Sequence, residues 1–343
     1  MRRALVTGAT GLVGSHIVER LLKDGWTVRA LVRSRSPWLE SLGVEPATGD
    51  VLDASSFARA ASGCDTIFHT AAAVTPSGGW EAFRRPNVDG TRHAIAAAES
   101  AGARLLHLSS VAVYGPEGRY RGGSRGTDEE TTLGPLPERA FYARSKRESE
   151  ELVMAAHGAG RIWATAVRPD VIYGRRDRQF VPRIAKILRF GVAPMIGDGR
   201  NTMAVVHAAN VADGAVRAAT TDRAGGRAYN LANDFDVSVR DFYRLAGLGL
   251  GRRVRLLPVP EPAARGLFRA GLYVLKLLTA GRLSVVSSGS LDFLVRDNPF
   301  NSDRARRELG WSPSVRPEEG IPEAFRSWRD VAEGRGGNEK GAA

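Results

Sequence analysis

Two periods of apolar and polar positions alternate along the first half of the chain. Apolar runs of strand length cover Ala4–Thr7, Thr27–Val32, Asp65–His69, Arg104–Leu108 and Ile162–Val167. Between them lie stretches with helical spacing. Leu12–Leu22 carries apolar residues at 13, 17, 18, 21 and 22, and the alanine-rich stretch Thr91–Ala101 separates two of the strands. Another strand region precedes Gly49. Strands alternating with helices predict parallel βαβ units, and so an α/β fold built on a doubly wound parallel sheet.

The alternation fades after Gly174. The pattern predicts a first domain over residues 1–175, rejoined by 207–231. It predicts a smaller, interleaved C-terminal domain made of 176–206 and 232–330. Residues 331–343 are glycine-rich and polar, and are expected to form a disordered tail. Pro116–Arg139 is a long polar loop of the kind that is functional or mobile in compact domains. Residues 265–278 predict an amphipathic helix with Arg265, Arg269 and Lys276 within about 40° of one another. Leu267, Phe268, Gly271, Val274, Leu275 and Leu278 cluster opposite them. That helix reads either as plain packing on the domain or as a lid over an apolar substrate, touching a membrane surface.

Of 343 residues, 43% are hydrophobic and 25% charged, an ordinary globular balance. No apolar stretch approaches the ~20 residues that span a bilayer. Cys64 is the only cysteine, which excludes an intrachain disulfide; with six scattered histidines, no metal site is expected. The chain opens Met1-Arg2-Arg3 and enters an apolar strand, with no room for a signal peptide, so the expected location is cytoplasmic. The net charge is +12, but 44 of the 49 cations are arginine and no run of five basic residues occurs. That dispersion reads as compositional bias, and no nucleic-acid partner is expected.

Candidate chemistry begins at Thr7-Gly8-Ala9-Thr10-Gly11-Leu12-Val13-Gly14, between the first strand and the first helix. Gly8 permits a tight turn, Gly11 lets the backbone approach a pyrophosphate, and Gly14 lets helix and strand pack closely. The helix N-terminus then offers unpaired N–H groups to the anion. This strand–loop–helix context marks a Rossmann dinucleotide site, with Gly8, Thr10, Gly11, Leu12 and Val13 on the cofactor. The second strand ends Leu31-Val32-Arg33-Ser34-Arg35, without the acid that would take a ribose 2′-hydroxyl. Arg33 and Arg35 are placed to meet a 2′-phosphate, which favours NADP over NAD. Asp50 reads either as an acceptor for the adenine amino group, with Val51 bonding through its backbone, or as a turn acid.

Tyr142 and Lys146 stand at i and i+4, on one face of a helix. A free tyrosine with a pKa near ~10 is too weak an acid for neutral pH. A neighbouring cation favours the phenolate and suits the tyrosine to proton transfer. Of seven tyrosines, only Tyr142 has a lysine four residues on. Leu106–Leu108 runs into Ser109-Ser110, a turn at a strand's carboxyl end, where ligands of open α/β sheets bind. A serine there could hold a substrate oxygen beside the tyrosine.

The set TGATGLVGSH (7–16), GDVLD (49–53), HTAA (69–72), NVDGT (87–91), LSSVAVYG (108–115), YARSK (142–146) and RPDVIYG (168–174) resembles the extended short-chain dehydrogenase/reductase superfamily, also called the NAD(P)-dependent epimerase/dehydratase family. GDGRN (197–201), VHAANVAD (206–213) and DRARRELGW (303–311) extend the resemblance over roughly residues 1–328. It implies Tyr142 as general acid/base, and Lys146 as ribose ligand that lowers the Tyr142 pKa. Ser110 would orient the reacting oxygen, with Ser109 the alternative. Ala71 and Ala72 would line the cofactor, Pro169 would sit against the nicotinamide, and Asn87 is a weaker match. A homodimer through the helix of the Tyr-Lys pair and its neighbour is implied.

Within that family, the pattern is similar to the 3β-hydroxysteroid dehydrogenase and dihydroflavonol reductase-like branch. Nucleotide-sugar enzymes tend to carry an Arg-Asp pair where this chain reads Met203-Ala204, and aspartate where it has Asn210. The expected activity is hydride transfer between the nicotinamide cofactor and a ketone or secondary alcohol on an apolar steroid-, flavonoid- or keto-acyl-like substrate. The alternatives are a nucleotide-sugar epimerase/dehydratase and a non-catalytic NADP-binding sensor or assembly protein.

Overall fold

A computed structural model describes residues 2–266 and 295–335. The chain runs β1 (Arg3–Thr7), α1 (Leu12–Lys23), β2 (Thr27–Val32), α2 (Pro37–Ser41), β3 (Glu45–Thr48), α3 (Ala54–Ala61) and β4 (Thr66–His69). Then come α4 (Trp80–Phe83), a π-helical turn (Arg84–Asp89), α5 (Gly90–Ala101), β5 (Arg104–Leu108), the short α6 (Gly115–Gly118), α7 (Phe141–Gly158) and β6 (Ala164–Pro169). The remaining elements are β7 (Val171–Tyr173), α8 (Phe180–Leu188), β8 (Val192–Ile196), β9 (Val205–His207), α9 (Ala208–Thr220), β10 (Ala228–Leu231), α10 (Val239–Gly249), β11 (Arg255–Val259), α11 (Asp303–Leu309) and α12 (Pro317–Ala332).

Seven parallel strands form the main sheet in the order β10-β6-β5-β4-β1-β2-β3. Both faces are covered along every strand but the mostly exposed edge strand β3, which is why those six read as near-continuous apolar runs. In β1, Ala4 and Val6 join a core with Ile17, Val18 and Leu21 of α1 and Val211 and Ala215 of α9. Leu5 points the other way, into a core with Phe57 of α3, Ala94 of α5 and Val153 of α7. The chain leaves this layer after β6 and returns with α9 and β10, which pairs with β6.

The intervening and following segments pack around a separate core that includes Val181, Ile184, Phe242 and Phe325. Two short parallel pairs, β11 with β8 and β7 with β9, stiffen it. The loop after α6 is anchored rather than loose: Gly134 N–H donates to Tyr114 O at 2.8 Å, and Thr127 N–H to Pro299 O at 2.6 Å. Of the amphipathic segment 265–278, only Arg265 and Gly266 lie within the described residues; Arg265 pairs with Glu261 at 2.7 Å. α12 runs to Ala332, so the expected tail begins as its last turn, and 336–343 lie outside the described residues.

Candidate active site

Strand order reverses at β1, which has β2 on one side and β4 on the other, so the loops leaving β1 and β4 splay apart and open a crevice. Gly8 turns in the left-handed region at φ +68°, and a Cβ there would lie 2.9 Å from Ala71 N. A Cβ on Gly14 would sit 2.2 Å from Gly8 O. The loop is held tight by Gly11 N–H donating to Gly8 O at 2.8 Å, and by Thr70 Oγ1 donating to Thr7 O at 2.7 Å. α1 starts at Gly11 with no side-chain cap and no acid in its first turn, which leaves its N–H groups facing the crevice. This cradle of bare backbone fits a dinucleotide pyrophosphate. Ala71 and Ala72 follow β4 at its rim, half-buried.

At the end of β2, Arg33 is exposed and has no hydrogen bond or ion pair among the described residues. Arg35, by contrast, is engaged by Glu40 through Nε at 2.9 Å and Nη2 at 2.8 Å. The expected pair of free arginines is thus reduced to one. Asp50 Oδ1 accepts from Leu52 N–H at 2.9 Å, as a turn acid does. The carbonyl of Val51 is bonded to His93 Nδ1 at 2.8 Å.

Ser110 follows β5 and caps a 3-10 turn, accepting from Ala112 N–H at 3.1 Å. Tyr142 and Lys146 lie on the first turns of α7. The Ser110 side chain lies near enough to the Tyr142 phenol to favour its charged form. Lys146 is 3% exposed, and its Nζ donates to Leu108 O at 2.7 Å. Burial pulls its pKa down to about 8, against the attraction of Glu150. Tyr142 differs from the expectation: its pKa lies above the ordinary value, not below. Burial drives the rise and the nearby Asp170 carboxylate adds to it, while Ser110 opposes it.

Asn87, on the π-helical turn, ties the two halves of the crevice together. Its Oδ1 accepts from Ala73 N–H at 2.7 Å, and its Nδ2 donates to Ala73 O at 2.9 Å and to Ser145 Oγ at 2.8 Å. Pro169 ends β6, buried beside Leu231. One residue absent from the sequence reading joins the site. Asp170, next to Pro169, is pushed up to about 7 by burial, against Arg119 and the Val171 N–H. Arg119, on the loop after α6, has a buried Nε with no hydrogen-bond partner. The one signal for Asp170 was an acid inside the run Val167–Tyr173, which is apolar apart from it and Arg168.

Among the described residues no three potential metal ligands cluster, and no helix is long and apolar enough to cross a membrane. The fold and crevice define a Rossmann-type dinucleotide enzyme. Residues 4–232 match the NAD dependent epimerase/dehydratase family, and the chain belongs to it. It is 32% identical to the 4-hydroxy-2-methyl-3-oxo-4-farnesyl-3,4-dihydroquinoline-1-oxide ketoreductase of Stigmatella aurantiaca, over 93% of this chain and 94% of that protein. It is 29% identical to the 2-alkyl-3-oxoalkanoate reductase of Stenotrophomonas maltophilia, over 93% and 97% of the two chains. In fold it is similar to the UDP-glucuronic acid 4-epimerase of Bacillus cereus solved with NAD, at 19% identity and a TM-score of 0.71, covering 96% of this chain and 99% of that one. The expected class is borne out: the chain is an NAD(P)-dependent oxidoreductase.

Proposed function

We propose that this enzyme reduces a ketone, or oxidises the matching secondary alcohol, on an apolar substrate, with NADP as its preferred cofactor. The observation that carries the reading is the placing of Ser110, at the carboxyl end of β5, beside Tyr142, which stands one helical turn from Lys146. In this reading Gly8, Thr10, Gly11, Leu12 and Val13 hold the pyrophosphate, and Asp50 and Val51 the adenine. Arg33 takes the 2′-phosphate, while Ala71, Ala72 and Pro169 line the nicotinamide pocket. The bound dinucleotide supplies or accepts a hydride at nicotinamide C4.

In the reduction direction, negative charge builds on the substrate oxygen as the new C–H bond forms. Tyr142 gives that oxygen its proton, and Ser110 donates a hydrogen bond to it. Both interactions strengthen in the transition state, so they act on turnover more than on binding. A Tyr142 pKa above the ordinary value keeps the proton in place until charge develops. Lys146 holds the ribose hydroxyls and, when charged, stabilises the phenolate left behind.

Two features support an apolar ketone over a nucleotide sugar. Met203 is 1% exposed and belongs to the core of the second unit, so its position offers no cation to a pyrophosphate. The two reductases above are named for oxo substrates. We further propose a cytoplasmic homodimer formed through α5 and α7. The test is a screen of steroid, flavonoid and keto-acyl ketones beside UDP- and dTDP-sugars, with NADPH and NADH. Ketone turnover with NADPH preferred is expected. Turnover of a nucleotide sugar alone would move the chain to the epimerase/dehydratase reading, and cofactor binding without any turnover to the sensor reading.

A further inference from the structure

The segments 181–197 and 245–260 lie side by side in the second unit. β8 pairs with β11, Arg255 N–H donates to Gly191 O at 2.8 Å, and the Arg252 guanidinium donates to Arg189 O. Together the two segments carry six cations, Arg183, Lys186, Arg189, Arg252, Arg253 and Arg255, and no acid. All six are exposed, and among the described residues none of them forms an ion pair. Many surface arginines elsewhere take carboxylate partners, as Arg92 does with Asp89 and Arg161 with Glu99. Large apolar side chains stand out of the same surface. Phe190 is 76% exposed, more than any other large apolar side chain among the described residues, and Ile187, Val192 and Leu257 are exposed as well. The Arg189 guanidinium lies 4.3 Å from the Phe190 ring centre. The strand register sets Arg255 opposite Val192 and Leu257 opposite Pro194, and all four are exposed. One face of the strand pair thus shows apolar and basic side chains together.

We propose that this face docks on an anionic phospholipid surface. Ile187, Phe190, Val192 and Leu257 enter the boundary between headgroups and acyl chains, and the six cations meet the negative headgroups. Protruding apolar side chains set among unmatched cations are what a protein lying on a membrane presents to it. The apolar groups gain by leaving water, and the long Lys and Arg stems let their charges stay at headgroup level beside them. Anionic lipids supply the counter-charge that these two segments lack. A nucleic acid would match the charge, but its phosphate exterior offers aliphatic side chains nothing to enter. The proposal goes beyond the oxidoreductase reading and does not depend on it.

The test is cosedimentation of the full chain with vesicles of phosphatidylcholine alone and of phosphatidylcholine with about 30% phosphatidylserine. Binding to the anionic vesicles is expected, roughly tenfold or more tighter than to the neutral ones, and weakening as salt rises. Two variants probe the face, Phe190→Ala with Leu257→Ser, and Lys186→Gln with Arg189→Gln and Arg255→Gln. Each is expected to bind the anionic vesicles roughly tenfold or more weakly. All five positions are exposed, so the melting temperature and NADPH affinity of both variants are expected to stay at the parent's values, which shows that they fold. No binding to anionic vesicles, equal binding to neutral ones, or unchanged binding in both variants overturns the proposal. Unchanged binding in both, joined to a loss in Leu275→Glu, would assign the contact to the segment 265–278 instead. A short DNA duplex bound through the same cations as tightly as the vesicles would overturn it in favour of a nucleic acid. A fall in sedimentation mass in the Phe190→Ala, Leu257→Ser variant would overturn it in favour of a second copy of this chain.

Discussion

Asp170 ties folding to pH. Its carboxyl is pushed up to about 7 in the folded chain, from an ordinary value of 3.8. Between those values the folded state holds a proton that the unfolded state has released, so stability falls as pH rises through that window. The groups facing it are Arg119 and Tyr142. Asp170→Asn is therefore expected to be more stable than the parent at about pH 8, by roughly a few kcal/mol at most, and to gain little at about pH 4. Thermal unfolding at the two pH values checks this; an equal shift at both would contradict a carboxyl held neutral. At Tyr142, removal of the hydroxyl by Phe should cost on the order of 10²–10⁴ in kcat, with cofactor affinity little changed in a fluorescence titration. At Arg33, Ala should narrow the gap between NADPH and NADH dissociation constants, because no other group on that side chain's surroundings holds it in place.

Among the elements, α7 carries the catalytic candidates and is pinned to β6 by Glu150 and Arg168, whose side chains are 8% and 9% exposed. Arg168 Nη1 also donates to Tyr114 OH at 2.9 Å. Glu150→Ala would leave that guanidinium buried without its counter-charge, at a cost of about 3–5 kcal/mol in a urea titration. Gly14→Ala should be worse for function than for chemistry alone, since its Cβ meets backbone at 2.2 Å and forces α1 off β1. The strands were legible because both sheet faces are buried, and the glycine loop because its spacing is local. The π-helical turn was not legible from periodicity, although its cause is in the sequence. Pro86 has no N–H to give and its ring crowds the preceding turn, so Trp80–Ala101 continues as helix only by widening there. That widening sits where Asn87 makes its contacts with Ala73 and Ser145. Asp170 could not be read in advance, because no spacing rule links it to Tyr142. Only the fold brings them together.

For the molecule as a whole, a ligand that binds only the folded chain raises its stability by mass action, about 2.7 kcal/mol at a hundred times its dissociation constant. NADPH at saturating concentration is expected to raise the melting temperature more than NADH at the same concentration. Sedimentation equilibrium at twice the chain mass would support the proposed homodimer. The interleaving of the two units has one more consequence. The apolar side of α1, with Ile17, Val18 and Leu21, is covered by α9, and the free edge of β6 by β10. Arg20 of α1 is paired with Asp213 of α9. On a translating ribosome these partners arrive some two hundred residues after α1, roughly ten to forty seconds at ordinary elongation rates. Through that interval the nascent chain displays a bare helix face, joined once β6 is made by an unpaired strand edge, the surfaces that chaperones bind and that drive aggregation. A chain stopped at residue 200 should accordingly be captured by chaperone or recovered as insoluble protein, whereas one stopped after β10 should release α1 from that fate.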